Sequence, residues 1–308
     1  MRILVTGASG FVGRALVNAL ADRKHNVRAA VRDQARAGFP ADVAVTSHGD
    51  LASPVDWRPL LSDIDAVVHL AGIAHVGPDI PDARYDRINH RATAELAAAA
   101  GPAGIKHLVF MSSVRAQSGP TADHVLTESD EPHPSDAYGR SKLAAESAIR
   151  TSGVPFTILR PVLIYGPDVK GNLAALARLA SSRLPLPFGS FHNRRSLLGR
   201  DNLIAAVEFL LGHAANRGET YLVADAKPVS LADIIAALRR GLGRPPGLFD
   251  VPPSLLHLAL RITGRATLWS RLNGDLAVDP NKLIQAGWRP ASDTPLALAR
   301  VSRSMSGR

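Results

Sequence analysis

The sequence predicts an α/β protein: a doubly wound parallel sheet with a smaller C-terminal lobe. Three observations predict it. Strand-like and helix-like runs alternate through the first half of the chain. The first strand enters a glycine-spaced turn directly. From Pro161 onward the alternation gives way to Pro-rich turns and short helices. At 308 residues, 46% of them hydrophobic, the chain can bury a substantial core. Only 5% are aromatic, so Ala, Leu and Val must fill most of it.

The first strand, Ile3–Thr6, is apolar and short, and it leads into Gly7-Ala8-Ser9-Gly10-Phe11-Val12-Gly13. A helix over Phe11–Ala21 follows, with Phe11, Val12, Leu16 and Leu20 at helical spacing. Glycine three residues apart between strand and helix is the context a phosphate-cradling turn needs. Gly7 permits the sharp exit from the strand, Gly10 the approach of backbone N–H groups to a pyrophosphate, and Gly13 close packing of helix on sheet. The helix N-terminus adds partial positive charge. Further strands are expected at Val27–Val31, Val43–Thr46, Ala66–His69, His107–Met111 and Phe156–Leu159, with helices at Arg84–Ala99 and Asp136–Arg150. That order implies βαβ units.

Beyond Pro161, Leu173–Ser181 and Asp201–Leu211 read as helices, and Glu219–Val223 as a strand that rejoins the sheet. Leu255–Ile262 is a largely apolar helix, too short to span a bilayer, and is expected to make core or dimer contacts. The expected division is a dinucleotide-binding unit over 1–160 plus about 195–225, and a substrate lobe over about 161–194 plus 226–308.

The formal net charge is +9, and of the 36 basic residues six are Lys, leaving 30 Arg. They are scattered, with runs no longer than a pair such as Arg194-Arg195, so no nucleic-acid stripe is expected. Without cysteine the chain has no disulfides, thiolate metal sites or Cys nucleophiles. His75, His192 and His213 show no metal-ligand spacing. The first strand begins so early that no signal peptide is expected, and the cytoplasm is the expected compartment.

Tyr138-Gly139-Arg140-Ser141-Lys142 carries the chemistry. Positions i and i+4 share a helical face, so Tyr138 and Lys142 project into one space. A tyrosine of ordinary pKa, about 10, is a poor acid–base near neutrality. A neighbouring ammonium, aided by a cationic nicotinamide, is expected to favour the phenolate and let the pair exchange a proton with an alcohol or ketone. Ser113, at the end of a central strand, lies where α/β sheets bind ligands and can hold the substrate oxygen. One of Ser112 and Ser113 is expected only to end the strand.

Together these residues resemble the extended short-chain dehydrogenase/reductase superfamily, the NAD-dependent epimerase/dehydratase group with a Rossmann sheet. The resemblance covers nearly the whole chain. Further matches are Gly49-Asp50-Leu51, His69-Leu70-Ala71-Gly72, Asn89-x-x-x-Thr93, Arg160-Pro161-x-x-x-Tyr165-Gly166-Pro167 and Gly287-Trp288-x-Pro290. Ala286, where Leu is usual, departs from the pattern. The resemblance implies Ser113, Tyr138 and Lys142 as the catalytic trio. It implies cofactor contacts at Gly7, Ser9, Gly10, Phe11, Val12, Gly13, Arg32, Asp50, Leu51, Leu70, Ala71, Gly72, Asn89, Tyr138, Lys142 and Pro161.

NAD-preferring members place a carboxylate where Arg32 stands. Arg32, with Ser9, suits a 2′-phosphate and favours NADP(H), while Asp33 keeps NAD(H) open. The second half resembles bacterial enzymes acting at C4 of UDP-N-acetylhexosamines, in particular UDP-N-acetylquinovosamine dehydrogenases and related 4-epimerases. That likeness implies diphosphate contacts from Asn172, Arg194 and Arg271, and a uracil site around Pro187 and Phe188. The expected partner is a UDP-sugar, with a homodimer possible and no membrane insertion. A dinucleotide-sensing regulator is the non-enzymatic alternative, and the intact trio argues against it.

Overall fold

The computed structural model describes residues 1–34, 38–74, 80–169, 171–264 and 268–306. Strands run in chain order as β1 (Arg2–Thr6), β2 (Asn26–Val31), β3 (Ala44–Ser47), β4 (Ala66–His69), β5 (His107–Met111) and β6 (Val125–Leu126), then β7 (Phe156–Pro161), β8 (Leu163–Tyr165), β9 (Leu197–Gly199), β10 (Glu219–Val223) and β11 (Ala277–Val278). Seven of them form one sheet in the order β10-β7-β5-β4-β1-β2-β3, and every pairing in it is parallel. The α/β class and the return of Glu219–Val223 to the sheet are as the sequence predicts. The short parallel pairs β6–β11 and β8–β9 are not anticipated, being too brief for a period-2 pattern.

Strand alternation sends side chains to both faces. Ile3, Val5, Val109 and Leu159 join Leu16, Val17 and Leu20 of helix Phe11–Asp22, and Leu203 and Val207 of helix Arg200–Gly212, on one face. Leu4, Val67, Leu108, Phe110 and Ile158 meet Leu96 and Ile149 on the other. These positions are buried on both sides, as an all-parallel sheet requires.

A third apolar cluster lies apart from the sheet, built from Tyr165, Leu173, Phe191, Ile235, Leu238 and Leu298 among others. Helix Pro253–Ile262 contributes Leu256 to it, while Leu255, Leu258 and Ile262 are exposed. The core contact expected of this helix is therefore confined to one of its faces. Among the described residues no helix is long and apolar enough to cross a membrane.

The segment expected as one helix, Arg84–Ala99, is three. A turn of α-helix at Asp82–Tyr85 passes into a π-helical stretch at Asp86–Arg91 and then into α-helix Ala92–Ala100. The wide turn includes Asn89, and such turns are frequent at functional sites.

Candidate active site at the carboxyl edge of the sheet

Because the sheet is parallel, its strands all end on one side, and α/β sheets bind ligands there, where strand order reverses. The reversal here falls between β1 and β4. Gly7 leaves β1 with φ +65, and a Cβ on it would lie 2.7 Å from the Ala71 nitrogen. At Gly13 a Cβ would lie 2.2 Å from the Gly7 carbonyl oxygen. Only glycine lets the helix start this close to the strand. Gly10 is the N-cap of helix Phe11–Asp22 and supplies no side-chain cap. Ser9 and Gly10 are exposed. A cradle that a Cβ would fill, with uncapped first-turn N–H groups, fits the pyrophosphate of a dinucleotide.

The loop after β4 is held by a chain of buried polar groups. Thr6 Oγ1 lies 2.7 Å from His69 Nδ1, and His69 Nε2 lies 3.0 Å from Thr93 Oγ1. The Ala71 N–H donates to Thr6 Oγ1, and Thr93 donates to the Asn89 carbonyl. Asn89 accepts from the Ile73 N–H at 2.8 Å and donates to the Ile73 carbonyl and to Ser141. Complete burial drives His69 down to about 3, so it is a neutral spacer. Asn89 thus fixes the Leu70-Ala71-Gly72 loop from behind. The Thr6–His69–Thr93 relay escapes sequence reasoning because its members lie in three different elements.

The trio converges beside this loop. Asp136 caps helix Ala137–Thr151 by accepting from the Gly139 N–H at 2.8 Å, which sets Tyr138 in the first turn. Lys142 Nζ donates to the Met111 carbonyl at 2.8 Å and sits 4.8 Å from the centre of the Phe110 ring. Burial lowers it to about 8. Ser113 accepts from the Arg115 N–H and hydrogen-bonds the Tyr138 phenol. Ser112 instead donates to Glu146, a buried bond beyond the strand-ending part expected of one of the two serines. Burial pushes the Tyr138 phenol up, and the Ser113 hydrogen bond pulls it part of the way back. The depression expected from Lys142 is absent. Lys142 is not among the groups that act on the phenol here; the lowering comes from Ser113 and Arg115, and desolvation exceeds it. Tyr85, buried, packs edge-on to Tyr138 with ring centres 6.1 Å apart.

The remaining cofactor candidates lie on the same edge. Arg32 follows β2, its carbonyl accepting from Ser47, and its side chain is exposed. Asp50 is exposed and accepts from the Ala52 N–H, Leu51 is buried, and Pro161 ends β7. Phe11 and Val12 are half-buried, the Phe11 ring lying 5.2 Å from the Arg200 guanidinium.

The substrate candidates stand with the third cluster. Phe188 packs against Phe191 at 5.5 Å, and Pro187 is half-buried. Arg194 is exposed and lines a depression of about 380 Å³ with His192, Asn193, Pro228, Val229 and Ser230. None of Ser113, Tyr138 and Lys142 lines it. The Pro228–Ser230 wall has no motif that sequence reasoning could seize. His75 and the side chains of Asn172 and Arg271 lie outside the described residues.

Residues 3–224 match the NAD dependent epimerase/dehydratase family. The UDP-glucose 4-epimerase of Vibrio cholerae is 34% identical over 299 residues, spanning 94% of this chain and 90% of that one. A 3-diazoavenalumate denitrifying reductase of a Streptomyces species is 31% identical over 309 residues, spanning 94% and 96%. A UDP-glucuronic acid 4-epimerase from Bacillus cereus, solved in complex with NAD, superposes with a TM-score of 0.78 at 21% identity, covering 100% and 99% of the two chains. With the glycine cradle and the Ser/Tyr/Lys group on one sheet edge, these likenesses make the chain an enzyme of the NAD dependent epimerase/dehydratase family, the extended short-chain dehydrogenases and reductases.

Proposed function

We propose that this protein is an NAD(P)-dependent oxidoreductase acting at C4 of a UDP-linked N-acetylhexosamine, reducing a 4-keto-6-deoxy sugar in surface polysaccharide synthesis. The observation that carries the reading is the convergence of Ser113, Tyr138 and Lys142 at the end of β5, beside the glycine cradle. The likeness to a UDP-glucose 4-epimerase supports a UDP-sugar and its C4 position.

In this reading residues 1–160 with about 195–225 hold the dinucleotide, and about 161–194 with 226–308 hold the sugar nucleotide. A bound nicotinamide supplies the hydride. Gly7–Gly13 takes the pyrophosphate, Arg32 a 2′-phosphate, and Lys142 the nicotinamide ribose. Ser113 orients the C4 oxygen and Tyr138 gives it a proton. A phenol pushed up by burial enters the reaction protonated, as reduction requires. Arg194 and Arg271 grip the diphosphate with planar guanidinium forks. This reading has the enzyme work in the cytoplasm and leaves a homodimer open to it.

A second reading, 4-epimerisation with retained NAD, has the same relative in its favour. Denaturing fresh protein and identifying the released dinucleotide separates the two. Stoichiometric NAD supports the epimerase, whereas a site that fills only with added NADPH supports the reductase. Calorimetry that detects no UDP binding overturns the nucleotide-sugar assignment.

A further inference from the structure

Three consecutive residues at the end of β5 are held by three residues of helix Ala137–Thr151. The Met111 carbonyl accepts from Lys142 at 2.8 Å. The Ser112 hydroxyl donates to Glu146 Oε1 at 2.5 Å, and the Ser113 hydroxyl meets the Tyr138 phenol. Tyr138, Lys142 and Glu146 follow one another at intervals of four and so form one helical stripe.

Glu146, only 1% exposed, is the centre of a wider clamp. It accepts from Arg160 Nε at 2.9 Å and Nη2 at 2.7 Å. Arg160, on the neighbouring strand β7 and also buried, donates its remaining arm to Gln117 Oε1 at 3.0 Å. The Gln117 amide in turn reaches the carbonyls of Thr127 and Asp130. One carboxylate therefore joins the helix of Tyr138, two strand ends and the turn after Ser113.

Fold stability is a weak reason for such a pair, since an apolar pair of the same volume commonly serves a core at least as well. What a carboxylate adds is charge. Burial works against the Lys142 ammonium, and Glu146 is the group that opposes it. The other titratable groups near this pair are Tyr138, one turn before Lys142 on its own helix, His69 from β4, which feels the ammonium, and Arg160 and Arg150, which lie 2.7 and 3.7 Å from the Glu146 carboxylate. His69 is neutral, and Arg160 is already engaged by the same carboxylate.

We propose that Glu146 is a positioning residue that keeps Lys142 charged and, through Ser112, holds Ser113 in register with Tyr138. The proposal rests on Ser113, Tyr138 and Lys142 being the reacting groups, and its test separates the two.

The chain has six lysines, so protein labelled with 13C at lysine Cε gives six resonances, with Lys142 assigned by loss in Lys142→Arg. The Lys142 resonance should titrate at about 8 in the wild type. Glu146→Gln keeps the side-chain shape and removes the charge. It should move that midpoint down by about one pH unit, and an unmoved midpoint overturns the proposal. Should Glu146→Gln not fold because Arg160 is left uncompensated, Glu146→Gln with Arg160→Gln removes both buried charges together; the midpoint should again fall, and an unmoved midpoint overturns the proposal. Ser112→Ala retains the charge, so the midpoint should stay while turnover falls about 10-fold from lost alignment. Wild-type turnover in Ser112→Ala overturns the register role. The NMR titration needs no substrate. A shifted midpoint in a protein inert towards every sugar nucleotide would keep the clamp and discard the proposed reaction.

Discussion

Tyr138→Phe removes one hydroxyl from a half-buried ring whose packing against Tyr85 is edge-on and apolar. Fold and dinucleotide affinity should survive, and turnover should fall at least about 100-fold, the scale of general acid–base loss. Near-normal turnover would remove Tyr138 from the chemistry. Lys142 offers a pH test. Its folded pKa of about 8 lies below the ordinary 10.5. Between those values the unfolded chain binds more protons, so Lys142 costs stability below about pH 8 and the cost is relieved as pH rises. Lys142→Met should therefore be inactive yet more stable than wild type at pH 7. Its advantage should shrink by about 1.4 kcal/mol per pH unit above pH 8, read from urea melts. At Arg32, a charge-assisted contact of about 1.5–3 kcal/mol predicts NADP affinity lower by roughly 10- to 150-fold in Arg32→Ala, with NAD affinity little changed. Equal losses for both dinucleotides would show that Arg32 does not read the phosphate.

At the scale of elements, the strand–turn–helix unit opening the chain is legible because local sequence determines it. A buried strand, glycines at a fixed interval and an amphipathic helix each leave a short-range pattern. Gly13→Ala should lower stability by about 1–3 kcal/mol, since the added carbon meets a backbone oxygen that has no room to retreat. A thermal melt unchanged from wild type would contradict that packing. The helix holding Tyr138 and Lys142 is equally legible from its spacing. The widened turn at Asp86–Arg91 is not, because one extra residue in a turn alters neither composition nor overall helical character. Glu146, and the pairing of Arg160 with it, are hidden for a different reason. Charged residues in an amphipathic pattern read as solvent-facing, and the partners that make Glu146 a buried hub lie 14 and 34 positions away in sequence.

For the whole molecule, the parallel arrangement is what brings residues 7, 32, 72, 113 and 161 to one edge, so site and fold are read together. The substrate side is less legible. Its candidates sit among Pro-rich turns and short helices, and any one Arg of 30 is by default a solvated charge. If Arg194 grips a diphosphate, Arg194→Ala should weaken UDP binding at least about 10-fold. NADP titration should be unaffected, and added salt should weaken UDP binding to the wild type. Loss of both ligands together would point to misfolding instead of a lost contact.

The order of the sheet has a consequence for how the chain is made. β10 is the edge strand that covers β7, yet about 60 residues separate their ends. At 5–20 residues per second, a ribosome needs roughly 3–12 s to deliver them. Throughout that interval the flank of β7 carries unpaired peptide groups, the kind of template on which nascent chains pair with one another. A polypeptide stopped near residue 215 already holds the glycine cradle and every proton-handling side chain, but its sheet ends in that open flank. It should partition into the insoluble fraction on expression, whereas a stop placed after β10 should recover at least part of it as soluble protein.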